Sequence, residues 1–240
     1  MLHLKEVRLL SEQYPTRNHY PFNIDVLQQT RSIQFSSPVT FFIGENGSGK
    51  TTLLEALARR CNIHIWSGIE RTRSVINPYE ETFFLYIEVK WTDGIVIGSL
   101  FSSQIFRNFA QLVDEWEADN PGQIDYFGGK SLIAQSHGQS IMSFFKSRYK
   151  IKGLYLLDEP ETALSPKSQV ELLRLLQEMS ALGHAQFIIA THSPILLACP
   201  SSVIHSFDHS SVKTIHYEDT EHYQIYKSFM ESPTKYLSED

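Results

Sequence analysis

The residues best suited to do chemistry lie in the stretch GENGSGKT. It fits the pattern G-x-x-x-x-G-K-[ST], and it stands between the apolar run PVTFFIG and a helical pattern. Glycines let such a loop curl until its N–H groups point at phosphate oxygens, and the following helix adds a favourable dipole. An ordinary glycine-rich turn is the alternative. The context predicts a nucleotide-binding loop made of Gly44, Glu45, Asn46, Gly47, Ser48, Gly49, Lys50, Thr51 and Thr52.

Individual side chains in this loop and in GLYLLDEPE predict a magnesium-dependent phosphate chemistry. Lys50 can reach the outer phosphates, and the Thr51 hydroxyl can ligate Mg²⁺. Asp158 ends an apolar run and is placed to hold the same ion, directly or through water. Glu159 points elsewhere and can orient or deprotonate an attacking water. Two solvated carboxylates at a strand end are the alternative.

A histidine follows the third apolar run, FIIATHSP. Ligands of α/β sheets bind at the carboxyl ends of the strands, so His192 is expected to contact the terminal phosphate and to respond to its loss. A histidine with a purely structural role is the alternative.

The stretch SHGQS predicts a second phosphate site at a helix start. Ser136 is a natural N-cap, and Ser136 and Gly138 offer a hydroxyl and unhindered N–H groups at the positive helix end. Because the chain already has one phosphate loop, this site is expected to serve the nucleotide of another copy. A plain capped helix is the alternative. The residues expected to act in trans are Ser136, His137, Gly138 and Gln139.

The elements around these motifs predict an α/β fold. Buried strands in PVTFFIG, GLYLLDE and AQFIIATHS alternate with helices, which indicates a mostly parallel central sheet with helices on both faces. LHLKEVRLL is expected as an edge or hairpin strand and RSIQF as a second strand. TFFLYIEVKW and IVIGSLF are expected to form a hairpin around Asp93-Gly94, adding an antiparallel subdomain. Two short strands and a helix from about 221 to 230 are expected in the tail.

Size and charge limit the classes of function. The chain has 240 residues and a net charge of −6, which argues against bulk electrostatic capture of nucleic acid or anionic lipid, although not against a local basic patch. There is no secretory apolar segment and no run of about 20 apolar residues, so we expect a cytoplasmic protein without a membrane span. Cys61 and Cys199 are isolated, and buried reduced thiols are expected.

In combination, the motifs resemble those of ABC-class P-loop ATPases. SHGQS resembles their LSGGQ signature with His137 at a usual glycine position, ALSP at 163–166 resembles their D-loop, and His192 resembles their switch histidine. The resemblance spans residues 44–194. The sequences DEPETALSP and ATHSPILL are more similar to the motifs of the soluble branch of this class than to those of transporter subunits. This branch includes SMC-like, recombination-repair and overcoming-lysogenisation ATPases, and within it the chain resembles a small single-domain group. No sustained heptads for a coiled coil occur between the loop and the signature.

The resemblance implies a P-loop NTPase fold with an antiparallel β subdomain and a small helical subdomain. It implies one domain over 1–240, with a nucleotide-binding lobe of about 1–102 and 150–240 and a helical, signature-bearing lobe of about 103–149. Two chains would sandwich two Mg-ATP molecules head to tail, hydrolyse them, and drive an unidentified protein partner in a repair-like or defence-like process. The ATPase subunit of a membrane transporter, with a coupling surface near 104–135, an ATP-dependent switch and a P-loop kinase are the alternatives.

The resemblance also implies residues that the spacing alone does not show. A glutamine is expected at Mg²⁺ and the attacking water, with Gln104 as the candidate and Gln111 as the alternative. Tyr20, Arg17 and Tyr14 are candidates for stacking on the adenine.

Two charged stretches have weaker interpretations. KSRYKIK could be a basic patch for DNA, although a solvated helix end is the better explanation. YEDTEHY could bind a metal, although Asp219 or Thr220 capping the last helix explains it better.

Overall fold

The computed structural model describes residues 2–65, 77–127 and 129–237, without the side chains of Gln104 and Arg107. The strands are β1 Leu4–Leu9, β2 Ser32–Gln34, β3 Val39–Ile43, β4 Ile87–Trp91, β5 Gly98–Ser102, β6 Gly153–Asp158, β7 Ala185–Ala190, β8 Val203–Ser206 and β9 Lys213–Ile215. The α-helices are α1 Asp25–Gln29, α2 Lys50–Arg60, α3 Ser103–Asp119, α4 His137–Arg148, α5 Pro166–Ala181, α6 Pro194–Leu197, α7 Glu221–Glu231 and α8 Thr234–Leu237. Short 3₁₀ helices span Ser11–Gln13, Phe83–Tyr86, Ile124–Phe127, Pro160–Ala163 and Tyr217–Asp219.

The central sheet has six strands in the order β5-β6-β7-β3-β8-β9. All neighbours pair in parallel except β8 and β9, which are antiparallel. Phe42 of β3 and Asp158 of β6 both pair with Ala190 of β7, so three strands end at the same level. The prediction of a mostly parallel central sheet is confirmed.

Both faces of this sheet are covered, as the continuous apolar runs predict. Phe41, Leu157 and Ile189 point to one face and pack in a core with α4 and α5. Their neighbours Phe42, Leu156 and Ile188 point to the other face and pack in a core with α2. The period-2 alternation of strand side chains therefore supplies two cores from the same three strands.

The antiparallel subdomain is a three-stranded sheet in the order β2-β1-β4. β1 pairs antiparallel with both neighbours, so it is the central strand of this sheet rather than an edge strand. The expected second strand, β2, is present.

The predicted hairpin between β4 and β5 is wrong. The chain does turn at Asp93-Gly94, where Gly94 has φ of 110°, but β4 pairs with β1 and β5 pairs in parallel with β6. Leu100 and Phe101 of β5 are buried in opposite cores. A strand that is buried on both faces fits the edge of the covered central sheet better than a half-exposed ribbon.

Residues 103–149 hold α3, α4 and the 3₁₀ helix Ile124–Phe127, and their described part contains no strand. An aromatic cluster joins the helices to β5; its members are Phe101, Phe106, Phe109, Phe127, Phe144 and Phe145. The division of the chain into two lobes stays a prediction.

The tail follows the predicted pattern of two short strands and a helix. Thr220 is the N-cap of α7, and its hydroxyl accepts a hydrogen bond from Tyr223 N at 3.2 Å. No α7 residue is fully buried. Cys61 and Cys199 are buried free thiols. Over the three described ranges, no helix combines the length and the apolar character needed to cross a bilayer.

The contact between β5 and β6 gives a stability prediction. A Cβ at Gly98 would lie 2.4 Å from Leu154 O and 2.5 Å from Ile63 Cδ1. Gly98→Ala should therefore lower the free energy of unfolding by about 1–3 kcal/mol, because backbone cannot yield as a flexible side chain does. Equilibrium urea unfolding measures this. Ser99→Ala is the matched control on the same strand. It removes a buried hydroxyl that has no hydrogen-bond partner among the residues that the structure describes, so it should not destabilise the protein. Equal midpoints for wild type and Gly98→Ala would contradict the packing at β5.

Candidate active site

The loop between β3 and α2 has the conformation that its glycines predict. Gly44, Gly47 and Gly49 have φ of 144°, 83° and 100°, a region that other residues rarely adopt. Gly49 also needs to lack a side chain, since a Cβ there would lie 3.1 Å from Ile24 Cγ2. The loop borders a cavity of about 810 Å³, a volume typical of small-molecule sites. Its lining includes every predicted loop residue except Gly44, and further Tyr20, Asn23, Ile24, Asp25, Val26, Glu159, Phe207, Asp208 and His209.

Lys50 is held inside the loop. Its ammonium is buried and donates to Gly44 O at 2.5 Å and to Glu45 O at 2.9 Å. Burial lowers the pKa of Lys50, and the nearby carboxylates Glu159 and Asp208 oppose this effect. A buried cation whose hydrogen-bond partners are neutral carbonyls gains from an anionic ligand, so the loop is suited to phosphate.

Thr51 and Asp158 meet below the loop. The Thr51 hydroxyl lies 3.0 Å from each carboxylate oxygen of Asp158. Burial raises the pKa of Asp158 to about 6, although the Thr51 hydrogen bond lowers it. A desolvated carboxylate beside a hydroxyl is a pair of hard oxygen donors that a divalent cation would stabilise. These two residues therefore fit the Mg²⁺ that the resemblance implies.

Glu159 has an unusual backbone. Its φ is 46° and its ψ is 54°, a left-handed conformation that costs a non-glycine residue about 1–2 kcal/mol. Glu159 N donates to Ala190 O at 2.9 Å, which ties this residue to the end of β7. Glu159 lines the cavity, and its Oε1 lies 3.7 Å from His192 Nε2. The conformation thus separates Glu159 from Asp158 and directs it to the cavity.

His192 is fixed by two residues that the sequence analysis did not assign to the site. Its backbone N–H donates to Glu161 Oε1 at 2.6 Å. Its ring Nδ1 lies 3.0 Å from Nε2 of His222, in the first turn of α7. Burial lowers the pKa of His192, and the positive charge of Lys50 adds to this effect. Glu161 follows the Asp-Glu pair by two residues, which is a local signal; no local pattern places His222 here.

Asp208 is a third residue that the sequence analysis missed. It follows β8, and its Oδ1 accepts a hydrogen bond from Glu45 N at 2.7 Å. A Cβ at Gly44 would approach the same oxygen to 2.9 Å. Asp208 therefore holds the start of the phosphate loop against the end of β8.

The predicted in-trans residues begin α4. Ser136 is the N-cap, and its N–H donates to Gln139 Oε1 at 3.4 Å in a capping box. A Cβ at Gly138 would lie 3.1 Å from Ala163 O, so α4 begins against the 3₁₀ helix Pro160–Ala163. None of residues 136–139 lines the cavity at the chain's own loop.

Of the remaining candidate residues, the structure places Tyr20 at the cavity and Tyr14 and Arg17 away from it. The Gln104 side chain lies outside the described residues, and Gln111 is exposed on α3. Tyr20 lines the cavity, with its hydroxyl 3.2 Å from Thr52 Oγ1. Tyr14 instead donates to Leu27 O and packs in an aromatic cluster, and Arg17 is exposed away from the cavity lining.

The two charged stretches have structural explanations. In KSRYKIK, Lys146 pairs with Glu171 and Arg148 donates to Gly98 O. In YEDTEHY, Thr220 caps α7 as expected. Within the described residues, no group of three or more His, Cys, Asp or Glu side chains is arranged to hold a metal.

Comparisons with known proteins agree with this geometry. The family profile "AAA domain, putative AbiEii toxin, Type IV TA system" matches residues 131–198, and the profile "AAA domain" matches residues 21–59. The Thiamine import ATP-binding protein ThiQ of Ruegeria sp. (strain TM1040) is 26% identical over 188 residues, which are 70% of this chain and 76% of that protein.

Solved structures share the fold. A nucleotide-free ATP-binding cassette from an ABC transporter matches with a TM-score of 0.54 and 13% identity over 100% of both chains. An SMC head bound to the C-winged helix domain of ScpA matches with a TM-score of 0.51 and 13% identity, over 89% of this chain and 97% of that one. The loop, the Asp158 strand end and these matches together show the fold of a P-loop NTPase, and the chain is similar in fold to ATP-binding cassettes and SMC heads.

Proposed function

We propose that the protein binds Mg-ATP at the loop 44–52 and hydrolyses the bond between its β- and γ-phosphates. One observation supports this most directly: Thr51 and Asp158 meet within 3.0 Å under the loop, while Glu159 faces the same cavity. A cation site, a phosphate loop and a separate carboxylate are the parts that phosphoryl transfer to water needs.

Binding begins with the loop N–H groups and Lys50. The Lys50 ammonium exchanges its two carbonyl partners for the outer phosphate oxygens, which are stronger acceptors because they are charged. Mg²⁺, when bound at Thr51 and Asp158, neutralises charge on the phosphates. Tyr20, which borders the cavity beyond Thr52, is our candidate for contact with the adenine.

Hydrolysis is an in-line attack by water. The Glu159 carboxylate orients the water and accepts its proton as the oxygen bonds to the γ-phosphorus and the bond to the β–γ bridging oxygen breaks. His192 Nε2, next to Glu159, donates to the γ-phosphate oxygens. Gln104 is proposed at Mg²⁺ and the water. Positioning and charge neutralisation supply most of the rate.

The second half of each site comes from another copy of the chain. Residues 136–139 begin a helix of 12 residues whose positive end carries a serine hydroxyl, yet they do not line their own chain's cavity. A head-to-tail homodimer would bring Ser136, His137, Gly138 and Gln139 to the γ-phosphate of the partner's nucleotide. ATP would close this dimer and hydrolysis would open it.

The dimer would drive a protein partner. The DEPE and THSP sequences resemble the motifs of the soluble branch, which supports a cytoplasmic partner in a repair-like or defence-like process. The 26% identity to a thiamine import ATP-binding protein favours the second candidate, the ATPase subunit of a membrane transporter. Co-purification with a membrane fraction that contains a permease would favour this second candidate. A switch that binds ATP without turnover is the third.

Replacing the proposed catalytic carboxylate tests hydrolysis. Glu159→Gln should lower kcat at least about 100-fold, because the amide cannot accept the proton of water, while ATP affinity changes little. Phosphate release and equilibrium ATP binding measure the two effects. Glu178→Gln, an exposed carboxylate on α5, is the control and should keep wild-type turnover. Turnover near wild type in Glu159→Gln would remove Glu159 from this role.

Solution mass tests the second half-site. In the Glu159→Gln background, Mg-ATP should double the mass measured by light scattering, since both nucleotides stay trapped. Adding Ser136→Arg should keep the protein monomeric, because a large side chain would occupy the phosphate position. Ser232→Arg, the same change at an exposed tail position, should leave the doubling intact. A monomer that binds ATP at saturation would show that 136–139 only cap α4.

A further inference from the structure

His222 contacts the active-site histidine from the tail of the chain. It lies in the first turn of α7, thirty residues after His192 in sequence. The His222 Nε2 atom is 3.0 Å from His192 Nδ1, and the ring centroids are 5.2 Å apart at 44°. The nitrogens are at hydrogen-bonding distance, so one of them carries the hydrogen and the other accepts it.

The other nitrogen of His192 decides which one is the donor. His192 Nε2 is buried, has no hydrogen-bond partner within the described chain, and faces Glu159 Oε1 at 3.7 Å. A carboxylate only accepts hydrogen bonds, so a lone pair on His192 Nε2 would face a lone pair on Glu159. A hydrogen on Nε2 removes this repulsion. In neutral His192, Nδ1 is then the acceptor, and His222 Nε2 is the donor.

Both rings are favoured in the neutral form on which this assignment depends. Burial lowers the pKa of His222, and the neighbouring His192 lowers it further. Burial also lowers the pKa of His192. The charged groups around the pair are of both signs: Lys50 opposes protonation, whereas Glu159, Glu45, Asp208 and Glu221 favour it.

We infer that His222 is a positioning residue for ATP hydrolysis, which holds His192 with its hydrogen on Nε2 by donating a hydrogen bond to Nδ1. The hydrogen on Nε2 then points at Glu159 and at the place where the γ-phosphate oxygens would lie. This inference rests on the proposed function, because the Nε2 hydrogen would be donated to the γ-phosphate oxygens during ATP hydrolysis. In proteins, the hydrogen bond that one ring nitrogen of a histidine makes sets which of the two nitrogens carries the hydrogen.

Core packing does not explain the contact. No residue of α7 is fully buried, and the helix start is already capped by Thr220. The second nitrogen of His222, Nδ1, is buried and has no hydrogen-bond partner in the described structure. Among the described residues, the contact to His192 is therefore the one hydrogen bond that this ring makes.

A direct test reads the tautomer by NMR of ring nitrogens in protein labelled with ¹⁵N-histidine, with the His192 signals assigned by their loss in His192→Gln. Wild-type His192 should show a protonated Nε2 and an unprotonated Nδ1 without nucleotide. In His222→Leu the two tautomers should mix, whereas His222→Gln, whose terminal amide can still donate, should keep the wild-type pattern. The control His216→Leu, an exposed histidine before α7, should also keep it.

Steady-state kinetics give the second readout. His222→Leu should lower kcat by roughly 10- to 100-fold, the effect that losing the outer partner of an oriented histidine has at metal sites, with the KM for ATP unchanged within about twofold. His222→Gln should recover most of the lost kcat. If the role of His222 were only structural, His222→Leu would lower the stability of the protein, and His222→Gln would not restore kcat.

Two outcomes would overturn the inference. A hydrogen on His192 Nδ1 in the wild type would reverse the donor and acceptor, and this measurement needs no variant to fold. Equal kcat loss in His222→Gln and His222→Leu, with wild-type urea midpoints, would show that donation does not matter. If the wild type shows no turnover at all, the proposed function fails, whereas the tautomer measurement still decides the contact.

Discussion

The parallel pairing of β3, β7 and β6 is the constraint on which the site depends. Phe42 and Asp158 both stand level with Ala190, so the phosphate loop, the acidic pair and His192 leave the sheet at one edge. No single motif brings these groups together. The hydrogen-bonded ladder does so, and the apolar side chains of the three strands fix its register by filling two cores at once.

Several polar groups of the site already have partners within the chain. Lys50 has carbonyl partners, Thr51 has Asp158, and the backbone of His192 has Glu161. The left-handed turn at Glu159 stores strain, which the bond from its N–H to Ala190 O helps to offset. A ligand therefore meets a prearranged set of donors and acceptors and replaces existing bonds, so little reorganisation is needed on binding.

Local patterns predicted most of the fold and the residues that sit next to each other in sequence. The loop 44–52, the Asp158-Glu159 pair and the N-cap at Ser136 each depend on a few consecutive residues, and buried strands show as apolar runs. The predicted pairing of β4 with β5 was wrong, because a turn dipeptide indicates where the chain reverses but not which strand pairs with β4. Asp208 and His222 were missed because they reach Glu45 and His192 only through the tertiary fold. The position of the Gln104 side chain and the in-trans role of 136–139 stay predictions.

The place of β3 in the sheet also has a consequence during synthesis. This strand is buried along its whole length, yet its two neighbours, β7 and β8, begin only at Ala185 and Val203. While the ribosome makes the intervening chain, the nascent protein carries an apolar strand without its sheet partners. Contacts between residues that are so distant in sequence form slowly, and unpaired apolar strands promote aggregation. The nascent chain thus passes through a stage of translation at which a chaperone has an exposed segment to protect.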